Sequence, residues 1–530
     1  MNAHLFLEEK PTRQEQKLNT LSKYVQNYPQ GWKKRLELAN LLYEMGDWEK
    51  AVAEYLQVIE RQPNLLGVRL QLGKILQIMR REKEAVEIYE KGLSCSDNAA
   101  TQHHINGLIA VCRNESEKAI VAFNLAASLE PEKVVHWLAL AQVHQQIENP
   151  LGVLNALKQV LSINPDDIVA LIYGYDALLA VGDTTAATER LNGIIALAGD
   201  DFRVLQRQIE QRCQMRLVSG IEGKLTKKMI TSLLQQTPHG AEAHKCLAYY
   251  HILRGDWEQG VKVLADFTAE HPNYPHGWYY YGRCLFDTGK YQMAAQMMAK
   301  AYQLYADDCA IYQGLCEILP HPLPLSYKER GEPKRGVGGE GSKTTLASIV
   351  EEMLKRFPQR WSVWATAGRV LVEYFKEFER GCSVSEQGIK LQPQLAEAWF
   401  CHGRVLALAL KHREAVEALQ IGWEFVPAGA YLQSVPAAVW LGESYRVMGD
   451  VGASQRWWKV AAEGCQELRD FNPTMADYWL GRALTGLGDR LGAIQAYESA
   501  LSQQLLYPAR GEVEKILQKL KGKGRKGSRG

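Results

Sequence analysis

The sequence lacks the features that mark several large classes of protein. No run approaches the roughly 18 consecutive apolar residues of a membrane-spanning helix. The first residues, MNAHLFLEEKPTRQ, contain no basic stretch followed by an apolar core, as a secretory signal would. The ten cysteines include no C-x-x-C pair, and the closest two are Cys309 and Cys316. Single cysteines among small apolar neighbours are typical of buried thiols in a reducing compartment. We therefore expect a cytoplasmic protein without a membrane span.

Motifs of catalysis and metal binding are also missing. Neither G-x-S-x-G nor H-E-x-x-H occurs, and no cysteine–histidine pair has a recognisable local signature. Four histidines lie near one another in the sequence, but no carboxylate or cysteine completes a ligand set at metal-like spacing. These four are His244, His251, His271 and His276. The sequence predicts no enzyme, no catalytic residue, no metal site and no cofactor.

One stretch, RGVGGEGSKTT at 335–345, looks like a phosphate-binding loop. Such a loop needs G-x-x-x-x-G-K-[ST] after a buried strand, but Ser342 separates Gly341 from Lys343. Three prolines upstream, in PHPLP, exclude a central strand. We therefore interpret the stretch as part of a flexible insertion, with Ser342 or Thr344 capping the helix that follows.

A 34-residue period organises most of the chain. Small residues recur at this step at 51, 85, 119, 153 and 187, and aromatic residues at 55, 89 and 123 keep the same step. Each unit holds two apolar-periodic segments joined by a short turn, often Gly-Asp as in Gly46-Asp47. Glycine can adopt the positive φ that ends the first helix, and aspartate can cap the second. The period predicts an all-α solenoid of helix pairs.

These residues resemble the tetratricopeptide repeat family. WLALAQVH at 137–144 and LGESY at 441–445 match the first half of its pattern, and AVAEY at 51–55, AIVAF at 119–123 and AIQAY at 493–497 match the second. The resemblance covers residues 12 to 508. It implies about 13 helix-turn-helix repeats in a right-handed superhelix, two of them degenerate, with the first helix of each pair lining a concave groove.

The spacing also predicts where the regular pattern is interrupted. Residues 202–240 form a unit without a Gly-Asp turn, and the unit after 309 contains 19 surplus residues. The predicted segments are an N-terminal helix at 1–31, regular repeats at 32–201, a degenerate repeat at 202–240, repeats and the first helix of an interrupted repeat at 241–319, a Pro/Gly-rich inserted loop at 320–342, C-terminal repeats at 343–508, and a capping helix with a basic disordered tail at 509–530.

A basic residue often follows the small residue of the first helix. The basic residues are Lys74, Arg283, Arg369, Arg404 and Arg482, and an aromatic residue lies four positions before three of them, at Tyr279, Phe400 and Tyr478. This spacing places each aromatic residue and its arginine on one helix face. One interpretation is a row of aromatic–arginine pairs that binds an acidic or C-terminal peptide segment. The other is that the arginines form salt bridges between neighbouring repeats.

The leading functional hypothesis is a non-catalytic scaffold or adaptor that binds a protein or peptide partner in its groove. The alternative is an accessory or substrate-recognition subunit for a separately encoded enzyme, such as a protein-modifying glycosyltransferase, since the resembled repeats often precede catalytic domains. A weaker hypothesis is a nucleic-acid-associated regulator acting through the basic C-terminal tail, KLKGKGRKGSRG. That tail is short and has no aromatic residue for stacking, so we expect it to be solvated.

Overall fold

The computed structural model describes residues 13–320, 340–508 and 510–522. This part of the chain holds 28 α-helices. The first half runs α1 (Arg13–Asn27), α2 (Trp32–Glu44), α3 (Trp48–Arg61), α4 (Leu66–Ile78), α5 (Glu82–Leu93), α6 (Ala99–Cys112), α7 (Ser116–Leu129), α8 (Val134–Gln146), α9 (Pro150–Ile163), α10 (Ile168–Val181), α11 (Thr184–Ala198), α12 (Phe202–Gln214), α13 (Gly220–Gln236) and α14 (Ala241–Leu253).

The second half continues the same alternation. It runs α15 (Trp257–Glu270), α16 (Pro275–Asp287), α17 (Tyr291–Leu304), α18 (Cys309–Ile318), α19 (Glu340–Arg356), α20 (Trp361–Val370) with a π-helical turn (Leu371–Phe375), α21 (Phe378–Leu391), α22 (Ala396–Leu408), α23 (His412–Glu424), α24 (Tyr431–Val447), α25 (Val451–Phe471), α26 (Pro473–Leu487), α27 (Arg490–Ser502) and α28 (Arg510–Gly522). Helices α2 to α27 form thirteen helix-turn-helix pairs, so the predicted all-α repeat fold and its repeat number are confirmed.

The chain divides into two compact units. The first comprises residues 1–143, 162–165 and 231–243, and the second comprises 144–161, 166–230 and 244–530. The core of the first unit joins side chains from α1 to α6, including the fully buried Tyr55 and Tyr89. The largest core of the second unit joins α16 to α20 around Met298 and Tyr312.

Glycine ends the first helix at the predicted turns. Gly46, Gly182, Gly255, Gly449 and Gly488 all have φ between 82° and 88°. The aspartate after four of these glycines accepts a hydrogen bond from a backbone N–H in the next helix, as Asp183 does from Ala186 at 2.9 Å. Asp47 differs because its carboxylate pairs with Lys50 Nζ at 2.6 Å instead.

Small residues bring the two helices of a pair together. A Cβ added at Gly73 would lie 2.3 Å from the Tyr89 ring, and one added at Gly107 would lie 2.6 Å from the Phe123 ring. The ring of the second helix therefore fills the space that the missing side chain of the first helix leaves.

A second repeated contact closes the turn between pairs. Trp137 Nε1 donates to the carbonyl of Pro131 at 2.9 Å, and Trp278 and Trp399 make the same bond to Pro272 and Pro393 at 2.8 Å. The six-residue spacing of proline and tryptophan thus fixes the start of a first helix against the preceding loop.

Departures from the regular repeat are local. The unit at 202–240 is still a helix pair, with Arg216 in the left-handed region at φ 61°, as Arg80, Asn114 and Leu410 are in other units without a turn glycine. Equivalent positions Ser454 and Ala493 are 39 residues apart instead of 34, which predicts a longer second helix in this unit. Helix α25 accordingly has 21 residues. Helix α19 begins at Glu340, so Ser342 and Thr344 lie inside its first turns rather than capping it as expected. The inserted loop at 321–339 and the tail at 523–530 lie outside the described residues. None of the described helices is long and apolar enough to cross a bilayer.

Candidate functional site

A row of polar contacts links the first helices of successive repeats in the second unit. We call this row the polar ladder. Its bonds join helices one repeat apart, and the atoms of five of them lie between 2.6 and 2.7 Å from each other. The ladder consists of Asp176–Arg207, Glu210–Lys245, Tyr249–Asp287, Arg283–Glu317, Gln313–Ser362 and Glu443–Arg482.

Arg283 on α16 sits between two carboxylates. Its guanidinium pairs with Glu317 on α18, and 28% of the Arg283 side chain is exposed. Burial lowers the pKa of Arg283, but the charges of Glu317 and Asp287 outweigh that effect, so the pKa is raised overall. Burial also raises the pKa of Asp287 to about 6, although Arg283 and a hydrogen bond from Tyr249 act in the opposite direction. The site therefore holds one guanidinium, two carboxyl groups and a phenol.

Arg482 on α26 pairs with Glu443 through one guanidinium nitrogen. Its Nη2 lies 2.6 and 2.8 Å from the two carboxylate oxygens of Glu443 on α24. The guanidinium also lies 5.0 Å from the Trp479 ring centroid. Arg369 on α20 pairs instead within its own repeat, with Glu373 Oε2 in the π-helical turn at 2.8 Å.

Arg404 on α22 is arranged differently from these arginines. Its guanidinium lies 5.3 Å from the centroid of the Trp440 ring on α24. No carboxylate in the described part of the chain approaches it within 4.0 Å. A guanidinium stacked on an indole keeps the N–H groups at its edge available for a carboxylate or phosphate. Arg283, Arg369 and Arg482 each form an ion pair within the protein. Arg404 can therefore bind an external anion without breaking an ion pair to a described residue.

The three aromatic residues before the arginines lie deeper than the arginines do. Phe400 and Tyr478 are only 2% and 6% exposed and belong to the hydrophobic core. Tyr279 is half-buried and packs against the core around Met298. The aromatic groups nearest the guanidiniums are Phe286, Trp440 and Trp479.

The sequence interpretation missed the carboxylates that face the arginines. Glu317 follows Arg283 by 34 residues, and Glu443 precedes Arg482 by 39. These separations equal the local repeat lengths. An acidic residue at the equivalent helix position of the adjacent repeat could therefore have predicted each ion pair from the sequence. Trp440, which lies beside Arg404, was missed because it precedes the small residue Gly442 by two positions, whereas the pattern places the aromatic residue three positions before the small one.

A buried histidine pair lies in the first unit. His104 Nδ1 on α6 and His136 Nδ1 on α8 are 3.1 Å apart, and His136 Nε2 lies 3.2 Å from Glu130 Oε2. The His104 ring also packs on Phe123, with ring centroids 5.2 Å apart. Burial lowers the pKa of His104 to about 4, with a contribution from His136. Among the described residues, no group of three or more His, Cys, Asp or Glu side chains could hold a metal ion.

Comparisons with known proteins identify the repeat. Models described as tetratricopeptide repeat match residues 35–64 and 246–308. No curated protein sequence matches the chain.

Solved structures with similar folds are distant in sequence. The Cut9–Hcn1 hetero-tetramer of the APC/C is 11% identical, with 96% of each chain covered and a TM-score of 0.42. Yeast Tom70 is 13% identical, covering 86% of this chain and 99% of its own, with a TM-score of 0.39. YrrB, described as having an unusual peptide-binding site, is 17% identical over 36% of this chain and 98% of its own, with a TM-score of 0.23.

Proposed function

We propose that this chain of tetratricopeptide-like repeats is a non-catalytic scaffold that binds an acidic protein segment at the arginines that follow the small residue of its first helices. The repeat fold is that of a protein-interaction scaffold. The finer proposal rests on one observation, which is the position of Arg404 beside Trp440 with no described carboxylate within 4.0 Å. An approaching carboxylate can form a bidentate pair with this guanidinium while the indole covers its face.

Three other arginines can also bind a partner carboxylate, but each must share or give up an internal ion pair to do so. Arg283, Arg369 and Arg482 each hold an internal carboxylate, and 24 to 28% of each arginine side chain is exposed. A partner carboxylate can share or replace the internal one, because the exchanged bonds are of the same type. We therefore assign Arg404 as the primary contact, and Arg283, Arg369 and Arg482 as secondary contacts. Tyr279, Phe400 and Tyr478 contribute by fixing the helices that carry these arginines.

A cytoplasmic location belongs to the same proposal. None of the ten cysteines forms a disulfide, and six of them are buried. Burial raises the pKa of Cys284 and of Cys465 to about 12, which keeps both thiols protonated. Ten cysteines without a disulfide are typical of a protein in a reducing compartment.

The test compares charge reversal at Arg404 with a matched reversal at Arg413. Arg413 is exposed on α23, the second helix of the same pair. The probe is a fluorescein-labelled peptide of alternating glutamate and leucine, with a glutamine–leucine peptide as the neutral control, and binding is read by fluorescence anisotropy. We expect Arg404→Glu to weaken binding of the acidic peptide about tenfold or more, while Arg413→Glu leaves it unchanged.

Two outcomes would contradict the proposal. One is equal binding of the acidic and neutral peptides, and the other is equal loss of binding in both variants. The thermal midpoints of the variants should match that of the parent chain, since Arg404 gives up no ion pair with a described residue. Affinity capture from lysate with the parent and Arg404→Glu chains then identifies the partner, and recovery of a sugar transferase would favour the accessory-subunit alternative.

A further inference from the structure

A cavity of about 220 Å³ lies within the second unit, and two members of the polar ladder, Asp176 and Ser362, are among its lining residues. Its walls come from the turn between α8 and α9, from α10, and from the starts of α20 and α22. Most of the lining is apolar, including Pro150, Val153, Ala177, Ala180 and Leu395. The volume exceeds that of the about 150 Å³ engineered cavity that binds benzene in another protein, so a small organic molecule fits.

Three carboxyl groups line the same cavity, and they differ in how they are compensated. Asp176 is held by Arg207, whose Nη2 lies 2.6 Å from Asp176 Oδ2. Glu148 accepts a hydrogen bond from the Ser362 backbone N–H at 3.1 Å, and its other oxygen lies 3.9 Å from Arg360 Nη1. Both groups therefore have arginine or backbone N–H partners within the protein.

Glu397 is the exception. It accepts a hydrogen bond from Gln433 Nε2 at 3.2 Å, and no cationic side chain of the described chain lies within 4.0 Å of it. Burial, together with the charge of Glu148, raises the pKa of Glu397 to about 7, although the hydrogen bond from Gln433 acts in the opposite direction. The adjacent Gln433 Oε1 is buried and has no hydrogen-bond partner. A carboxyl group in this position is poorly stabilised when ionised, unless a cation enters the cavity.

We propose that this cavity binds a primary ammonium group carried on a short aliphatic body, with Glu397 and Glu148 facing the ammonium. The ammonium supplies the positive charge that Glu397 lacks, and its N–H groups can bond several carboxylate oxygens at once. The apolar walls formed by Val153, Ala177 and Leu395 surround the hydrocarbon part. The ammonium can belong to a small free amine or to a lysine side chain of a polypeptide.

The inference is independent of the acidic-segment proposal, because it involves none of the four arginines assigned there and concerns a ligand of opposite charge. Isothermal titration calorimetry of the full chain with n-butylammonium chloride tests it directly. The neutral control is n-butanol, and N-acetyl-lysine amide represents the polypeptide source. We expect one saturable site for butylammonium and binding of butanol at least about tenfold weaker, since butanol cannot pair with a carboxylate.

Two variants locate the site. Glu397→Gln should weaken butylammonium binding about tenfold or more, while Glu417→Gln, at an exposed position on α23, should leave it unchanged. Val153→Phe fills the cavity without altering its charge and should abolish binding. If Glu397→Gln fails to fold, Val153→Phe and the butanol control still decide the question.

Acidification provides a separate readout. Binding should weaken as the pH falls through about 7, because the ammonium stabilises the ionised form of Glu397. Glu148, Asp176 and Tyr173 are the other titratable groups that line the cavity, and Cys401 interacts with Glu397 from the next turn of α22.

The two sources are told apart by affinity. Tighter binding of butylammonium indicates a free amine, and tighter binding of acetyl-lysine amide indicates a lysine side chain. Absence of saturable binding for both, or equal butylammonium binding to the parent and Val153→Phe chains, overturns the inference.

Discussion

Acidification is expected to destabilise the first unit through His104. When His136 Nε2–H donates a hydrogen bond to Glu130 Oε2, His136 Nδ1 is left as the acceptor for His104 Nδ1–H, and the two Nδ1 atoms lie 3.1 Å apart. Charging His104 then requires a proton on its Nε2, within a side chain that is only 7% exposed. This cost is why burial lowers the pKa of His104.

The sign and size of the effect follow from linkage. The pKa of His104 falls from 6.5 to about 4 on folding, so between these pH values the unfolded chain binds more protons than the folded one. Stability is therefore retained above pH 6.5 and lost as the pH falls toward 4. At 1.36 kcal/mol for each pKa unit, the loss amounts to about 3 kcal/mol.

Hydrogen exchange measured by mass spectrometry on α6 and α7 isolates this effect from the rest of the chain. Protection should fall with pH in the parent, and His104→Gln, which stays neutral, should flatten the dependence between pH 6.5 and 4. His103→Gln, at the half-buried neighbouring position, serves as the control and should keep the parent slope. An identical slope for the parent and His104→Gln would refute the reasoning.

Two further predictions concern packing and the polar ladder. Gly73→Ala should lower stability by about 1–3 kcal/mol despite the better helix propensity of alanine, because its Cβ meets the Tyr89 ring at 2.3 Å. Urea denaturation checks this against Gly67→Ala on the same helix, where nothing lies within 4 Å and no loss is expected. A double-mutant cycle on Arg482 and Glu443 should give a coupling of about 1 kcal/mol, since one nitrogen of Arg482 bonds both carboxylate oxygens of Glu443 but 43% of the Glu443 side chain is exposed. Additive single effects would show that the pair contributes no coupling.

The helix pairs could be predicted because their causes are local. Positive φ at Gly182 and the cap by Asp183 depend on residues adjacent in sequence. The contact of a small residue with a ring, as at Gly107 and Phe123, recurs at a fixed offset within each unit. A period of 34 residues therefore contains most of the information needed to place the helices.

The candidate site was predictable in position but not in its partners. The rule that a basic residue follows the small residue correctly places Arg283, Arg404 and Arg482 on first helices. Whether each arginine meets a carboxylate or a ring depends on how adjacent repeats rotate, which a single unit does not specify. The cavity beside Glu397 could not be predicted at all, since its walls come from helices about 220 residues apart along the chain.

The polar ladder also makes the order of the repeats chemically distinguishable. In the links from α10 to α14 the acid precedes the base along the chain, whereas Arg283 precedes its acid, Glu317. Helix α16 thus presents an acceptor, Asp287, to the repeat before it and a donor to the repeat after it. Transposing or duplicating a unit across α16 would set like groups against each other. Recombination between repeats of similar shape would therefore place like charges opposite each other, so the charges favour the existing order of the repeats.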